Sequence, residues 1–200
     1  LYASFHFVRS IVRFLWLLML MSVLLGCTQK SETFTATDVT GADFAHGFSL
    51  TAQDGTQKSL QDFKGKVAVV FFGYTHCPDI CPTTMHDLAN VMKLLGKDSQ
   101  QVQVLFVTLD PERDTVAVLK QYVPGFDPSF IGLTGSSKQI EAVAQQFKIY
   151  TQKQAGKDAQ QYSIDHSAGA YVYDKQGRLR LYFKYAQSPE DMAHDLKLLM

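Results

Sequence analysis

Three cysteines in 200 residues are too few for a disulfide-built scaffold. Charge of either sign is not in excess: 19 basic residues balance 19 acidic ones. Arg9 and Arg13 are the only charged residues among the first 26, which leaves 17 basic against 19 acidic from Cys27 onward, a net of −2. No basic stripe runs along the chain, so no nucleic acid is expected as a partner. Long low-complexity tracts and internal repeats are also missing. What is present is ordinary globular composition, 46% hydrophobic and 19% charged, enough for one well-buried core.

The first segment reads as a leader rather than as part of the fold. Arg9 and Arg13 precede an apolar run from Phe14 to Leu25, a basic n-region followed by an h-region too short for a comfortable transmembrane helix. It ends in Leu24-Leu25-Gly26-Cys27, which resembles the lipobox of bacterial lipoproteins. That resemblance implies cleavage before Cys27 and thioether lipidation of its sulfur; an uncleaved signal anchor with an incidental cysteine is the alternative. The expected organisation is a signal peptide over 1–26, a lipidated cysteine and flexible Ser/Thr-rich tether over 27–43, and one domain over 44–200. The expected location is the exported, periplasmic side of a bacterial membrane, held there by the lipid.

With Cys27 assigned to the anchor, Cys77 and Cys81 remain as an isolated pair in an oxidising compartment, where a Cys77–Cys81 disulfide is possible. The apolar run Val67 to Phe72 before them reads as a buried strand. A helix from Pro82 to about Leu95 follows, with Met85, Leu88, Met92 and Leu95 at steps of three and four. On that stripe the methionines read as core filler rather than as metal ligands. Phe48 to Thr56 reads as an N-terminal β-hairpin turning at Asp54-Gly55. Val102 to Leu109 and Ile131 to Leu133 read as strands, Thr115 to Tyr122 and Ser136 to Phe147 as helices, and 156–161 as a polar loop. Two last strands surround Asp174 to Gly177, and Ser188-Pro189 starts a final helix. This alternation predicts an α/β domain with a thioredoxin-like fold: a central mixed sheet flanked by helices.

Two soft thiols at a strand-to-helix junction suit either redox chemistry or a soft metal. Each cysteine precedes a proline, which biases it away from helical backbone and predicts an extended loop, with Cys81 near the helix N-cap. The positive end of the helix is then expected to lower both thiol pKa values. His166, in Asp165-His166-Ser167, stands where thioredoxin-like redox enzymes usually carry a cis-proline, on a loop that packs against the cysteine pair. Two thiolates and an imidazole form a three-coordinate site suited to Cu(I), and one added ligand accommodates Cu(II). Zinc usually takes a fourth ligand, which no clear spacing supplies. Asp110 has two readings: turn and helix cap, or a carboxylate beside the metal loop at the C-terminal edge of the sheet. His76 and Asp165 are candidates for supporting roles next to the ligands. His46, His86 and His194 read as surface or structural residues. A peroxidase of the thioredoxin superfamily is a third reading, disfavoured because Tyr74 occupies the position three before Cys77 where such an enzyme needs a Thr or Ser, and Pro78 follows.

The segments Phe72-Gly-Tyr-Thr-His-Cys-Pro-Asp-Ile-Cys-Pro82, Thr108-Leu-Asp-Pro-Glu-Arg-Asp-Thr115, Phe130-Ile-Gly-Leu-Thr-Gly135 and Asp165-His-Ser167 occur in this order, and together they resemble the SCO/SenC family. The resemblance implies copper binding through Cys77, Cys81 and His166. It also implies a role in assembling cytochrome c oxidase, by delivering copper to the CuA centre or by reducing that centre's cysteines. The implied partner is the CuA-bearing subunit or another copper chaperone. On this reading the protein is a metallochaperone rather than an enzyme. The alternative is a thiol–disulfide oxidoreductase acting on exported cysteine-containing partners through Cys77 and Cys81, a chemistry that does not require His166.

Overall fold

Every residue of Val67–Gly73 is buried, and the two faces of this strand feed two separate cores. Val67, Val69 and Phe71 pack on one side, and Ala68, Val70 and Phe72 on the other. A strand buried on both faces reads as a continuous apolar run because successive side chains alternate between them. The structure, a computed structural model, describes residues 33–156 and 161–200. The expected signal peptide and Cys27 lie outside the described residues.

The strands are β1 (Thr37–Asp38), β2 (Ser49–Ala52), β3 (Gln57–Ser59), β4 (Val67–Gly73), β5 (Val102–Thr108), β6 (Ile131–Thr134), β7 (Thr151–Gln154), β8 (Ser163–His166), β9 (Ala170–Tyr173) and β10 (Leu179–Phe183). The helices are α1 (Ile80–Leu95), α2 (Val116–Tyr122), α3 (Ser137–Gln146) and α4 (Pro189–Leu198). Eight strands form one mixed sheet in the order β1-β10-β9-β4-β5-β6-β2-β3. The centre is parallel, with Val69 opposite Val104 and Val107 opposite Leu133, and β9 joins β4 antiparallel. β2 and β3 pair antiparallel around Asp54-Gly55.

Met85, Leu88 and Met92 of α1, with Met192 and Leu196 of α4, cover one face of the sheet. Ile140, Val143 and Ala144 of α3, with Phe48 and Leu50, cover the other. Helices on both faces of a mixed sheet make this the thioredoxin-like α/β arrangement that the sequence predicts. Two helix starts carry the caps expected from their sequence: Ser136 accepts from the Gln139 N–H, and Ser188 from the Asp191 N–H.

The main sheet takes in residues ahead of Phe44. β1 pairs with β10, and the buried Asp195 carboxylate accepts hydrogen bonds from the backbone N–H groups of Thr35 and Ala36 and from the Thr35 hydroxyl. The polar residues of 34–43 that suggest a flexible tether are therefore partly used in fixed contacts.

A second sheet, missing from the sequence reading, pairs β7 with β8 antiparallel, Thr151 opposite His166 and Lys153 opposite Ile164. Its strands are largely polar, so no apolar alternation announces them. Along β8 exposed and half-buried residues alternate, which turns Ile164 and His166 inward and Ser163 and Asp165 outward. His166 thus stands at the end of a strand rather than in a loop.

Candidate metal centre

β4 ends at Gly73, at the C-terminal edge of the parallel strands, and the chain crosses to α1 through Tyr74 to Asp79. Gly73 is required by space. A Cβ there would stand 2.9 Å from the Cys81 sulfur and 3.0 Å from the Phe106 ring, closer than real Cβ contacts come. The missing side chain lets Cys81 sit against the strand end, where it is fully buried.

Cys81 does not lie on an extended loop. It occupies the first turn of α1, which begins at Ile80, two residues before the predicted start. Pro82 is compatible with this, because its absent N–H is one of the helix-start donors that have no intrahelical partner. Asp79, at the N-cap position, makes no side-chain cap. The Cys81 N–H points instead at the Cys77 sulfur, 3.4 Å away, so Cys77 takes over part of the capping. Cys77 is half-buried, and its own N–H returns to the Tyr74 carbonyl at 3.2 Å.

The expected lowering of the Cys81 pKa is also corrected. Burial is the largest influence and pushes this thiol up, with Cys77 and Asp114 nearby adding to the effect; a backbone hydrogen bond from Tyr74 opposes it. Desolvation of the charged form outweighs the helix dipole at a position with no exposed surface.

His166 completes the cluster. Its Nε2 lies 3.3 Å from the Cys81 sulfur, and its Nδ1 lies 2.8 Å from the Ser167 carbonyl oxygen. A carbonyl only accepts, so Nδ1 carries the hydrogen and Nε2 presents its lone pair to the sulfurs. Burial holds the imidazole pKa below its ordinary value, against the Ser167 carbonyl and Asp165, which favour the charged form. A neutral imidazole is the form that binds a metal. The donor atoms of Cys77, Cys81 and His166 all lie within 4.8 Å of one another, the sole such metal-competent group found among the described residues. Two soft sulfurs and one imidazole nitrogen at this spacing fit a copper ion of low coordination number.

The ribbon bearing His166 is tied down by side chains that the sequence reading overlooked or assigned differently. The Ile164 N–H donates to the Tyr74 hydroxyl at 3.2 Å, and the Tyr74 ring meets the His166 ring edge-on at 5.9 Å. Arg113 donates to the Tyr162 carbonyl at 3.1 Å and lies 3.5 Å over the Tyr162 ring. The Tyr150 N–H donates to the Ser167 hydroxyl at 3.0 Å.

Asp110 serves this anchoring. It is buried, pairs with Arg113, and accepts from the Tyr162 hydroxyl at 2.6 Å, while its carbonyl accepts turn hydrogen bonds from Arg113 and Asp114. Asp165 projects outward and accepts from the Gln154 amide at 2.7 Å. His76 is exposed and within hydrogen-bond distance of the Thr75 hydroxyl. None of these three belongs to the Cys77–Cys81–His166 group. His86 packs edge-on against Phe126, His194 contacts Asp195 and His46 contacts Asp43. Met85 and Met92 are core residues, as read.

Asp114 is the buried group that sequence reasoning missed. Its carboxylate, fully out of solvent, accepts from the Thr75 N–H at 3.0 Å, the Thr75 hydroxyl at 2.5 Å and the Thr108 hydroxyl at 2.6 Å. The segment Thr108 to Thr115 contains it, but turn chemistry at Asp110-Pro111 hid its role.

This architecture has well-matched counterparts. The SCO1/SenC family model matches residues 36–200. A SCO2-like protein of Rickettsia felis is 37% identical over 151 residues, covering 75% of this chain and 74% of its own length. The structure of Bradyrhizobium japonicum ScoI with copper bound superposes with a TM-score of 0.72 at 40% identity, over 77% of this chain and 98% of that one. BsSco, described as having a disulfide switch and as a member of the Sco family of cytochrome c oxidase assembly proteins, superposes at 0.64 with 26% identity, over 82% and 96% of the two chains. From its sequence, its sheet and the arrangement of its relatives, the chain belongs to the SCO1/SenC family.

Proposed function

We propose that this protein is a membrane-tethered copper metallochaperone that assists assembly of the CuA centre of cytochrome c oxidase. The observation that carries the reading is the convergence of Cys77, Cys81 and His166, with donor atoms within 4.8 Å of one another. Copper is the cargo, and Cu(I) is preferred because two of the three donors are soft thiolates; Cu(II) is accommodated with an added ligand. The copper bound by the Bradyrhizobium relative and the oxidase-assembly role of BsSco support it. The partner is the CuA-bearing subunit or a copper chaperone that loads this one. The test is copper stoichiometry of the purified protein. One ion per chain is expected, and tight binding is lost in the Cys77→Ser, Cys81→Ser double variant; stoichiometric binding retained there overturns the assignment.

The tether of this reading is Cys27, lipidated and cleaved from residues 1–26, on the periplasmic side. Among the described residues no helix is long and apolar enough to cross a membrane. One acyl chain binds a membrane only marginally, so firm anchoring requires more than one lipid on that cysteine. Mass spectrometry of the mature N-terminus reads this directly: lipid on Cys27 is expected, and an intact segment containing Arg9 and Arg13 refutes cleavage.

A second reading is favoured by the closeness of the two thiols. In thiol–disulfide exchange, Cys77 and Cys81 close a disulfide as a partner's disulfide is reduced to two thiols. This chemistry prepares cysteines of the copper centre instead of filling it, and the disulfide switch described for BsSco supports it.

A further inference from the structure

We propose that Asp114 and Thr75 are positioning residues for the metal centre: the buried carboxylate holds the loop between β4 and α1 through Thr75, and so sets where Cys77 stands relative to Cys81 and His166. The proposal rests on the copper reading above. Asp114 joins the ends of three neighbouring parallel strands. Thr75, just past β4, donates to it twice. Thr108, the last residue of β5, donates once. Thr134, the last residue of β6, donates to the Asp114 backbone carbonyl at 3.0 Å, and the Asp114 N–H donates to the Asp110 carbonyl at 2.8 Å.

A buried carboxylate is costly unless its lone pairs are satisfied. Here three donors satisfy them, two from a single residue of the cysteine loop. Cys77 follows Thr75 by two residues, and its N–H turns back to Tyr74, so a rotation at Thr75 is passed directly to the Cys77 sulfur. Two hydrogen bonds to one carboxylate fix the orientation of Thr75 as well as its distance, which apolar packing does not do. Soft-metal coordination demands ligands held to within roughly half an ångström.

The experiment compares Thr75→Ala, Thr75→Ser and Thr108→Ala in the full-length protein, reading Cu(I) affinity by chelator competition together with thermal stability. Both alanine variants remove one hydroxyl donor from the same carboxylate, but only Thr75 lies in the cysteine loop. Thr75→Ala is expected to weaken Cu(I) binding about tenfold or more, Thr108→Ala about threefold or less, and Thr75→Ser to remain within about twofold of wild type. Equal losses in both alanine variants, unchanged affinity in Thr75→Ala, or failure of serine to restore binding overturns the proposal. Should the wild-type protein bind no copper, the copper reading fails on its own. Positioning is then read from the Cys77–Cys81 dithiol–disulfide equilibrium against glutathione: an altered constant in Thr75→Ala alone supports it, and an unaltered one overturns it.

Discussion

The Nε2 of His166 lies 3.3 Å from the sulfur of Cys81, across 85 residues of chain. The contact joins an imidazole held neutral to a thiol held protonated, both by burial. On the copper reading, the hydrogen between this pair is the one a soft cation would displace, because metal binding requires the thiolate.

His166 separates the two functional readings. His166→Ala is expected to weaken Cu(I) binding by at least about tenfold while leaving the Cys77–Cys81 disulfide able to form and exchange. Oxidase copper content in cells carrying the variant, measured beside the exchange rate of the purified protein, decides between them. Full oxidase assembly with copper binding lost removes metal delivery from the function and leaves thiol chemistry.

Stability of the reduced, metal-free protein is expected to fall on both sides of neutrality. The folded-state pKa of His166 is lowered from 6.5, so as pH drops through 6.5 the unfolded chain binds a proton that the folded one resists, and stability declines. The folded-state pKa of Cys81 is raised above 9.0, so above that pH the unfolded chain releases a proton that the folded one keeps, and stability again declines. Denaturation midpoints across pH check both limbs. His166→Ala should flatten the acid limb, and an acid limb of unchanged slope in that variant removes His166 as its source.

Gly73→Ala tests the close approach of Cys81 to β4. The new methyl would meet the Cys81 sulfur at 2.9 Å, Phe106 at 3.0 Å and Phe71 at 3.1 Å, all in the buried core. Overpacking of this kind costs about 1–3 kcal/mol, and the shift of Cys81 should lower copper affinity at the same time. Calorimetry and chelator competition on one sample report both; a variant as stable and as tight-binding as wild type contradicts the packing argument.

Tyr122 carries a buried hydroxyl with no hydrogen-bond partner among the described residues, on a ring packed against Phe106 and Phe126. Tyr122→Phe removes that hydroxyl and keeps the ring. Stability is expected to rise by up to about 1 kcal/mol with copper binding intact. A loss of stability in thermal unfolding means that the hydroxyl has a partner in solution.

What local sequence determined is whatever local chemistry suffices to set. The all-apolar run of β4 reads as doubly buried because no polar residue interrupts it. The stripe from Met85 to Leu95 reads as a core face because its spacing matches a helix. Ser136 and Ser188 act as caps through contacts three residues away. That Cys77, Cys81 and His166 converge was legible because cysteines are few in this chain and the flanking segments resemble those of a known family. The β7–β8 ribbon was not legible: its pairing joins polar residues, and its hold on the domain comes from Tyr74, Arg113 and Tyr162, distant or unremarkable in sequence. Nor was the helical position of Cys81, where burial against Gly73 outweighed the bias of a residue before proline. The role of Asp114 and the upward shift of the Cys81 pKa likewise required the tertiary structure, since desolvation and hydrogen bonding of a buried group depend on which distant segments surround it, and no short stretch of sequence contains them.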